Sequence, residues 1–366
     1  MDCATVNILF IGPHRPDRNG SQRFRMEQFF PYLEKAGCRC DYSWFLNERD
    51  DRIFYRRGNV LQKGLVLWKA IAIRTRDVLR AGRYDIVFIQ REAFMTGAVW
   101  FEKMFARSGA KMIFDFDDAI WLEDTSEANQ RFKWLKRPAK TAEIIAMANH
   151  VIAGNSYLAH YAEQYNRHVT TVPTVVDTLR YTASDTPGKA GKPVVIGWLG
   201  SSSTMKHFRL LLPVLEKLKE KYNERIIIKV VADKSSTAAA PWIVLEPWSS
   251  EREVELLRSF DIGVMPLPDD EWSKGKCGFK AIQYMAMKMP AVVSAVGVNT
   301  SIITHGRNGF IATSAEEWGQ YLSMLIEDQG TRENIGLAAR KTVEVQYSVQ
   351  SQLPVLTALF HTLAGK

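Results

Sequence analysis

The most informative chemistry in this sequence lies in the segment 275–286, where glycines precede a lysine at the predicted start of a helix. Pro290 must end that helix. The N–H groups of a helix start have no intrahelical partner and lie at the positive end of the helix dipole, so they suit a phosphate. Lys280 falls in the first turn, with Gln283 and Tyr284 along the same side. This pattern predicts a phosphate and sugar site, although the spacing alone also fits an ordinary strand–turn–helix connection.

A second loop of small residues, 200–204, connects a predicted strand to a predicted helix. Its hydroxyl groups can cap the helix and hydrogen-bond an anion. Lys206 falls in the first helical turn, where the helix dipole favours an acid, so a bound anion would explain a cation there. A lysine that simply reaches water is the alternative.

An arginine-rich loop, within 12–25, follows the first predicted strand and leads into a helix. It lacks the G-x-G-x-x-G fingerprint of dinucleotide-binding proteins. Backbone N–H groups and arginine side chains can both bind phosphate or carboxylate, and loops at this position usually form the site. Solvated surface arginines are the alternative. The candidate residues for an acceptor or phosphate loop are Arg15, Gly20, Ser21, Arg23 and Arg25.

Three acids lie at the end of the fourth predicted strand: Asp115, Asp117 and Asp118. Asp117 or Asp118 can accept a proton from a substrate hydroxyl or hold sugar hydroxyls. The D-x-D spacing also suits a divalent metal placed between an acid and a pyrophosphate. A helix N-cap would explain one of the acids.

Short apolar segments alternate with longer amphipathic ones throughout the chain. This alternation predicts an α/β protein with parallel, doubly wound sheets. The predicted strands are 7–12, 38–45, 85–90, 111–116, 150–153, 169–172, 194–199, 226–231, 242–245, 261–265, 291–294 and 309–312. Predicted helices include 23–37, 140–149, 205–222, 250–260 and 315–328.

The polar segment 181–193 is broken by Pro and Gly, which predicts a linker. We therefore predict one Rossmann-like domain over 1–180, completed by a C-terminal crossover helix at 346–366, and a second over 181–345. Two such domains would face each other across a cleft. Ligands in these folds bind at the carboxyl ends of the strands.

At 366 residues, with 46% hydrophobic and 24% charged content, the chain has the composition of a soluble globular protein. Its four cysteines show no CxxC pair and no metal-ligand spacing, so we expect free thiols in a reducing compartment. We expect no signal peptide, because the N-terminus leads directly into an apolar strand. No apolar run is long enough to span a bilayer.

The net charge of +8 and the pI near 9.2 favour an anionic partner. No nucleic-acid-binding module is recognisable, so we expect no nucleic-acid partner. The segment 62–79 and its flanks are apolar at five positions and otherwise rich in basic residues. Such a helix could dock on an acidic membrane, but a plain scaffold helix fits the same pattern. The five apolar positions are Leu61, Leu65, Trp68, Ala72 and Leu79.

Several segments, in this order, resemble the GT-B glycosyltransferases of family 4, and the resemblance covers nearly the whole chain. Residues 172–177 resemble the family's iPtgvD segment, 261–266 its aDvfvlPS, 284–293 its EAMAxGxPVV, 305–310 its dgxnGflv turn and 347–349 its YSW. Two features depart from the family. The E-x7-E motif falls on Gly275 and Gln283, and Trp198 stands where the family usually has the arginine of GRL.

The resemblance implies a retaining glycosyltransferase that needs neither cofactor nor metal. The donor would be a nucleoside-diphosphate sugar, and the acceptor a glycan or lipid-linked glycan of cell-surface polysaccharide. The implied catalytic residues are Asp117, Asp118 and Lys280. The implied donor-binding residues are Gly200, Ser201, Ser202, Ser203, Lys206, Gly275, Cys277, Gly278, Phe279, Lys280 and Gln283.

The resemblance also implies a cytoplasmic location, and the basic first domain could contact the inner face of the plasma membrane. Two alternatives remain open at the level of sequence. One is a GT-B enzyme that is not a transferase, such as a nucleotide-sugar 2-epimerase. The other is a non-catalytic protein that binds acidic glycan or membrane.

Overall fold

The computed structural model describes residues 5–56, 58–122, 137, 139–183, 191–233 and 236–366. The chain divides into two compact units. The first comprises Met1–Thr174 and Gln352–Lys366, and the second comprises Val175–Ser351. Most of the predicted linker, 184–190, lies outside the described residues. No helix in the described ranges is both long and apolar enough to cross a membrane.

The first unit is built on a six-stranded parallel sheet in the order β2-β1-β3-β4-β5-β6. Its central strands are apolar on both faces, as expected where helices cover both sides of a parallel sheet. The strands are β1 (Val6–Ile11), β2 (Cys38–Ser43), β3 (Ile86–Gln90), β4 (Lys111–Phe116), β5 (His150–Ala153) and β6 (Val169–Thr171).

Helices connect these strands. They are α1 (Gly20–Arg25), α2 (Phe30–Lys35), α3 (Glu48–Phe54), α4 (Val60–Ala81), α5 (Trp100–Ala106), α6 (Ala139–Met147) and α7 (Ser156–Glu163). A short 3-10 helix, Glu27–Phe29, separates α1 from α2.

The second unit repeats the plan with a parallel sheet in the order β12-β11-β10-β7-β8-β9. Its strands are β7 (Val194–Leu199), β8 (Ile226–Ala232), β9 (Ile243–Pro247), β10 (Ile262–Met265), β11 (Ala291–Ser294) and β12 (Phe310–Ala312). Strand and helix side chains form its core, which includes Ile196, Leu215, Ile228, Val264 and Leu322.

The helices of the second unit are α8 (Met205–Arg209), α9 (Leu212–Tyr222), α10 (Glu253–Arg258), α11 (Glu271–Lys274), α12 (Phe279–Ala286), α13 (Asn299–Ile302), α14 (Ala315–Glu327) and α15 (Gln329–Gln346). The final helix, α16 (Val349–Ala364), starts in the second unit, and its residues from Gln352 onward belong to the first.

The order of the strands places the chemistry in each unit. In the first unit, successive strands are added toward one edge of the sheet up to β2 and toward the other edge from β3 onward, so the strand order switches between β1 and β3. In the second unit it switches between β7 and β10. Loops diverge at such a switch point and leave a crevice at the carboxyl ends of the strands. The segments that follow β1, β7 and β10 carry most of the predicted site residues, and Asp117 and Asp118 follow β4.

All twelve predicted strands are confirmed, four of them with the same limits. Two long predicted helices were wrong in extent. The helix predicted over 23–37 is broken into α1, a 3-10 turn and α2, and the one over 205–222 into α8 and α9. Pro31 and Pro213 lie in the first turns of α2 and α9, because proline lacks an N–H and favours a helix start over a helix interior.

Tyr181, the first residue of the predicted linker, is packed into the second unit. Its side chain is 1% exposed, and it belongs to the second unit. Arg340 on α15 donates to the carbonyl groups of Tyr181 and Thr178 and to that of Ala286 at the end of α12. These bonds tie the first residues of the predicted linker to the folded unit.

Candidate active site

The turn before α12 leads from a glycine into a helix start, at the position that the sequence predicts. Gly278 is the N-cap residue and has a left-handed backbone, with φ of 63°. A Cβ atom at this position would lie 2.2 Å from Cδ1 of Ile302, so a larger residue would have to displace that side chain and also adopt a left-handed backbone. Because the cap has no side chain, it places no side-chain acceptor over the first turn of the helix. The first turn itself contains Phe279 and Lys280.

The charges of three lysines of the second unit act on one buried imidazole. The pKa of His207 is lowered from 6.5 to about 4, first by burial and then by the charges of Lys206, Lys280 and Lys276. Asp270 opposes this shift only weakly. The loop after β7 and the turn before α12 therefore bring their positive charges to the same place. A cationic patch of this kind suits a diphosphate.

Aromatic rings border this patch. The Nζ atom of Lys280 lies 5.8 Å from the centre of the Trp198 ring, and that of Lys276 lies 4.8 Å from the Trp272 ring. Trp198, at the position of the family's arginine, is 1% exposed and packs against Phe208. The ring therefore supports Lys280 but contributes no charge of its own.

The loop after β7 forms the predicted helix cap, and one of its N–H groups already binds the Asp233 carboxylate. Ser201 caps a 3-10 helix at Ser202–Thr204. The N–H of Ser202 donates to Oδ2 of Asp233 at 2.8 Å, and the hydroxyls of Ser201 and Ser203 lie 2.8 Å apart. A phosphate at the N–H of Ser202 would have to displace the Asp233 carboxylate. Gly200, in the same loop, donates its N–H to the carbonyl of Val231 on β8.

Gln283 makes a buried contact that the sequence does not indicate. Its Nε2 donates to Oε1 of Glu253 at 3.2 Å, and the Tyr181 hydroxyl donates to Oε2 of the same carboxylate at 2.7 Å. All three side chains are at most 2% exposed. The family's second glutamate is thus represented here by an amide that is paired with a carboxylate from α10.

The rest of the segment shapes the turn. Gly275 is the C-cap residue of α11, and the side chain of Cys277 is buried outside any disulfide. The Tyr284 hydroxyl accepts the N–H of Leu199 at 3.0 Å and contacts the carbonyl of Val264 at 3.4 Å. It therefore ties α12 to the ends of β7 and β10, which fixes the helix relative to the switch point.

In the first unit, Arg25 forms a buried ion pair within the fold. Its guanidinium pairs with the Asp115 carboxylate at 2.5 Å and donates to the carbonyl of Val172 at 2.6 Å. Both side chains are buried. This corrects the prediction that Arg25 serves a ligand, and it removes Asp115 from a D-x-D metal site. Among the described residues, no three His, Cys, Asp or Glu side chains are grouped so that they could hold a metal.

Asp117 lies in a polar cluster at the ends of β3 and β4. It accepts hydrogen bonds from the Ser21 hydroxyl at 2.5 Å and from Nε of Arg91 at 2.9 Å. Burial alone would raise the pKa of Asp117, but Arg91, Arg25 and the Ser21 bond more than offset it and lower the pKa. An ionised carboxylate held in this way is a weak base, which argues against the predicted proton-accepting role. Asp118 lies 3.5 Å from Arg91.

The arginine loop is partly held by acids. Arg15 lies 3.4 Å from Asp51 on α3, and Arg18 pairs with the same carboxylate. Arg23 is 4% exposed, and its guanidinium lies over the ring of Phe24 at 4.3 Å. Arg15, 33% exposed in its side chain, is therefore more accessible than Arg23.

His14 in the loop after β1 was not predicted as a site residue. Its Nε2 lies 2.9 Å from the Tyr55 hydroxyl, and burial lowers its pKa to about 4. Gly20 is the first residue of α1, where the side chain of Asn19 caps the helix.

Sequence reasoning missed five further residues. They are Lys276 and His207 at the lysine patch, Glu253 beside Gln283, and Gln90 and Arg91 beside Ser21 and Asp117. Lys276 stands four positions before Lys280, a spacing that the sequence does show. Gln90 ends β3, and its Nε2 donates to the Ser21 hydroxyl at 2.8 Å. Arg91 has a left-handed backbone, with φ of 62°, which is uncommon for a residue other than glycine. The sequence gives no signal for that conformation.

Residues 193–328 match the family model for glycosyl transferases group 1. This match assigns that part of the chain to the group 1 glycosyl transferases. The matched residues lie in the second unit and include the lysine patch. No curated protein matches the sequence in a direct comparison.

Solved structures support the GT-B fold over nearly the whole chain. A glycosyltransferase from Rickettsia africae ESF-5 superimposes with a TM-score of 0.67 at 16% identity, covering 98% of each chain. Anabaena HepE, in complex with UDP and glucose, gives a TM-score of 0.65 at 15% identity and covers 96% of this chain and 99% of its own. The apo form of the lipopolysaccharide outer core galactosyltransferase WaaB gives 0.62 at 15% identity, covering 98% of this chain and 100% of its own.

Proposed function

We propose that this enzyme is a retaining glycosyltransferase that uses a nucleoside-diphosphate sugar and extends a glycan or lipid-linked acceptor of cell-surface polysaccharide. The observation that carries the proposal is the convergence of Lys206, Lys276 and Lys280 around the neutral His207, beside the glycine-capped start of α12. Such a site binds an anion that carries more than one charge. The leaving diphosphate of a sugar donor is an anion of this kind.

The proposed chemistry follows from this patch. The bond between the anomeric carbon and the donor phosphate oxygen breaks, and the acceptor oxygen bonds to the same carbon with the same configuration. The acceptor proton leaves with the departing diphosphate. Negative charge develops on the phosphate oxygen as the bond breaks, and fixed lysines stabilise that charge more strongly than they stabilise the bound donor. This assigns Lys280 the catalytic role and Lys206 and Lys276 supporting ones.

The acceptor side rests on the polar cluster of the first unit. Arg91 and Asp118 follow the ends of β3 and β4, where ligands of such folds bind, and Ser21 on α1 contacts Asp117 there. Asp118 is the carboxylate we assign to an acceptor hydroxyl, because Asp117 is held by Arg91 and Ser21. An acceptor from cell-surface glycan is supported by the likeness in fold to WaaB, a lipopolysaccharide outer core galactosyltransferase.

Donor binding is tested by thermal shift with UDP, GDP, TDP, ADP and CMP sugars, starting with UDP-glucose. We expect one nucleotide class to raise the melting temperature of the wild type but not that of Lys280→Ala. Removing a charge-assisted hydrogen bond of about 1.5–3 kcal/mol should weaken binding by roughly 10- to 150-fold. Lys217→Ala is the matched control, because Lys217 lies on the exposed face of α9.

Turnover with labelled donor then tests the reaction class. A glycosidic product whose anomeric configuration equals that of the donor supports retention, and an inverted product contradicts it. Epimerised nucleotide sugar in the absence of any acceptor would instead establish the epimerase alternative. Equal turnover by Lys280→Ala and the wild type would remove Lys280 from the site.

A further inference from the structure

An unpartnered apolar stripe runs along α4 in the first unit. Leu61, Leu65, Trp68 and Leu79 are 88%, 70%, 72% and 81% exposed. Their spacings of four, three and eleven residues, with Ala72 between the last two, place them on one face of the helix. Large apolar side chains that are exposed individually are common, but a continuous row is a feature of interaction surfaces.

This stripe lies on the side of α4 opposite its packed face. The helix is buried through Val66, Ala70, Arg74, Asp77 and Ala81. With 3.6 residues per turn, these positions lie about half a turn from the exposed row. A plain scaffold helix would carry polar residues there. The apolar row therefore needs an explanation other than the packing of this unit.

The charges around the stripe favour an anionic partner. Within 58–83, Asp77 is the one acidic residue, and it is 0% exposed in a buried pair with Arg74. Arg76 is 65% exposed in its side chain, and Arg83 is also exposed. Nearby acids on α3 are paired, for example Asp50 with Lys69. The accessible charge beside the stripe is thus positive.

The neighbouring helix extends the surface. On α5, which packs against α4, Trp100 is 72% exposed and Met104 is 39% exposed. Tryptophan rings prefer the level of lipid headgroups, where one side of the ring contacts acyl chains and the other contacts water. Trp68 and Trp100 are positioned on adjacent helices for such contacts.

We propose that α4 and α5 form a docking surface for an anionic membrane, with the apolar stripe buried among the headgroups and the arginines contacting lipid phosphates. The described helices do not span a bilayer, so the contact is with one leaflet. A second copy of the chain is the less suitable occupant, because two basic surfaces would repel each other. This inference does not depend on the proposed donor or acceptor.

Co-sedimentation of the full chain with vesicles tests the proposal. We expect binding to phosphatidylcholine mixed with phosphatidylglycerol, weak binding to phosphatidylcholine alone, and loss of binding as salt is raised. Arg76→Gln with Arg83→Gln should lower partitioning by about fivefold per charge, since each basic residue near an anionic surface contributes a comparable factor. Leu65→Gln with Trp68→Gln should lower it by at least about tenfold.

The matched control is Leu337→Gln, because Leu337 is 57% exposed on α15 in the other unit. It should bind vesicles like the wild type, and all variants should keep the wild-type melting temperature. Absence of vesicle binding by the wild type, or equal binding by the stripe variants, would overturn the proposal. A wild-type dimer in analytical ultracentrifugation that the Leu65 and Trp68 changes dissociate would assign the surface to a second copy instead.

Discussion

The contact between Gln283 and Glu253 predicts a large penalty for restoring the residue that the family usually has. Gln283→Glu would replace the donating amide with a carboxylate about 3.2 Å from Oε1 of Glu253. The two side chains are 1% and 2% exposed, so water cannot separate the charges. At this distance, and at an effective dielectric constant of about 20, two like charges repel by about 5 kcal/mol.

Protonation of one carboxyl limits this penalty. It costs about 1.4 kcal/mol for each pH unit above an ordinary glutamate pKa near ~4.3. The expected loss of unfolding free energy is therefore about 4 kcal/mol at pH ~7.5 and about 1 kcal/mol at pH ~5. In the folded Gln283→Glu variant, repulsion raises the pKa of one of the two carboxyl groups above its value in the unfolded chain. The loss of unfolding free energy is therefore absent below the unfolded-state pKa and grows as the pH rises through it.

Urea denaturation at these two pH values measures the effect. The swap of both residues, Gln283→Glu with Glu253→Gln, leaves one carboxylate and one amide in the pair and should recover most of the lost free energy. Gln329→Glu is a matched control, because Gln329 donates to Glu333 at 2.8 Å on an exposed face of α15. It should cost only a few tenths of a kcal/mol, as expected for like charges on a helix surface.

Wild-type stability of Gln283→Glu at neutral pH would refute this reasoning. So would a swap variant no more stable than the single variant, because the penalty would then not arise from the two carboxylates. A loss that does not depend on pH would point to a packing defect instead of charge repulsion.

Three further outcomes are expected. The pKa of His207 is lowered from 6.5 to about 4 by burial and the neighbouring lysines, so wild-type stability should fall as pH drops through that window, and His207→Gln should reduce the fall in denaturation experiments. Gly278→Ala should lose about 1–2 kcal/mol from its left-handed backbone, and more from the clash with Ile302, and donor affinity measured by calorimetry should drop with it. Asp118→Asn should lower the transfer rate more than donor affinity; a loss confined to donor affinity would contradict its acceptor role.

The strands were predictable because each is a short apolar run bounded by turns. The helix breaks were missed although Pro31 and Pro213 are visible in the sequence. Apolar periodicity continues across each proline, so it predicts one long helix where the missing proline N–H marks the start of a second one. The corresponding side chains still reach the core, so the periodicity is a sound guide to burial even where the helix is interrupted.

The candidate site was predictable only where its residues are close in sequence. Gly278, Lys280 and Gln283 belong to one turn and one helix, so their spacing shows a shared face. Arg25 and Asp115 are 90 residues apart, and the pairing that makes them internal follows from the order of the strands. Charged residues at strand ends can serve either a ligand or each other, and sequence spacing does not distinguish the two.

Electrostatics offers a distinction between these two uses of charge. Arg25 and Asp115 neutralise each other in a buried pair, so the fold itself accounts for both. Burial and then the charges of three lysines lower the pKa of His207 to about 4, and the opposing effect of Asp270 is the smallest of the contributions. Like charges gathered in one place oppose folding unless an anion binds to them. The proposed donor diphosphate would supply negative charge at the lysine patch, whereas the arginine pair contributes to the stability of the first unit.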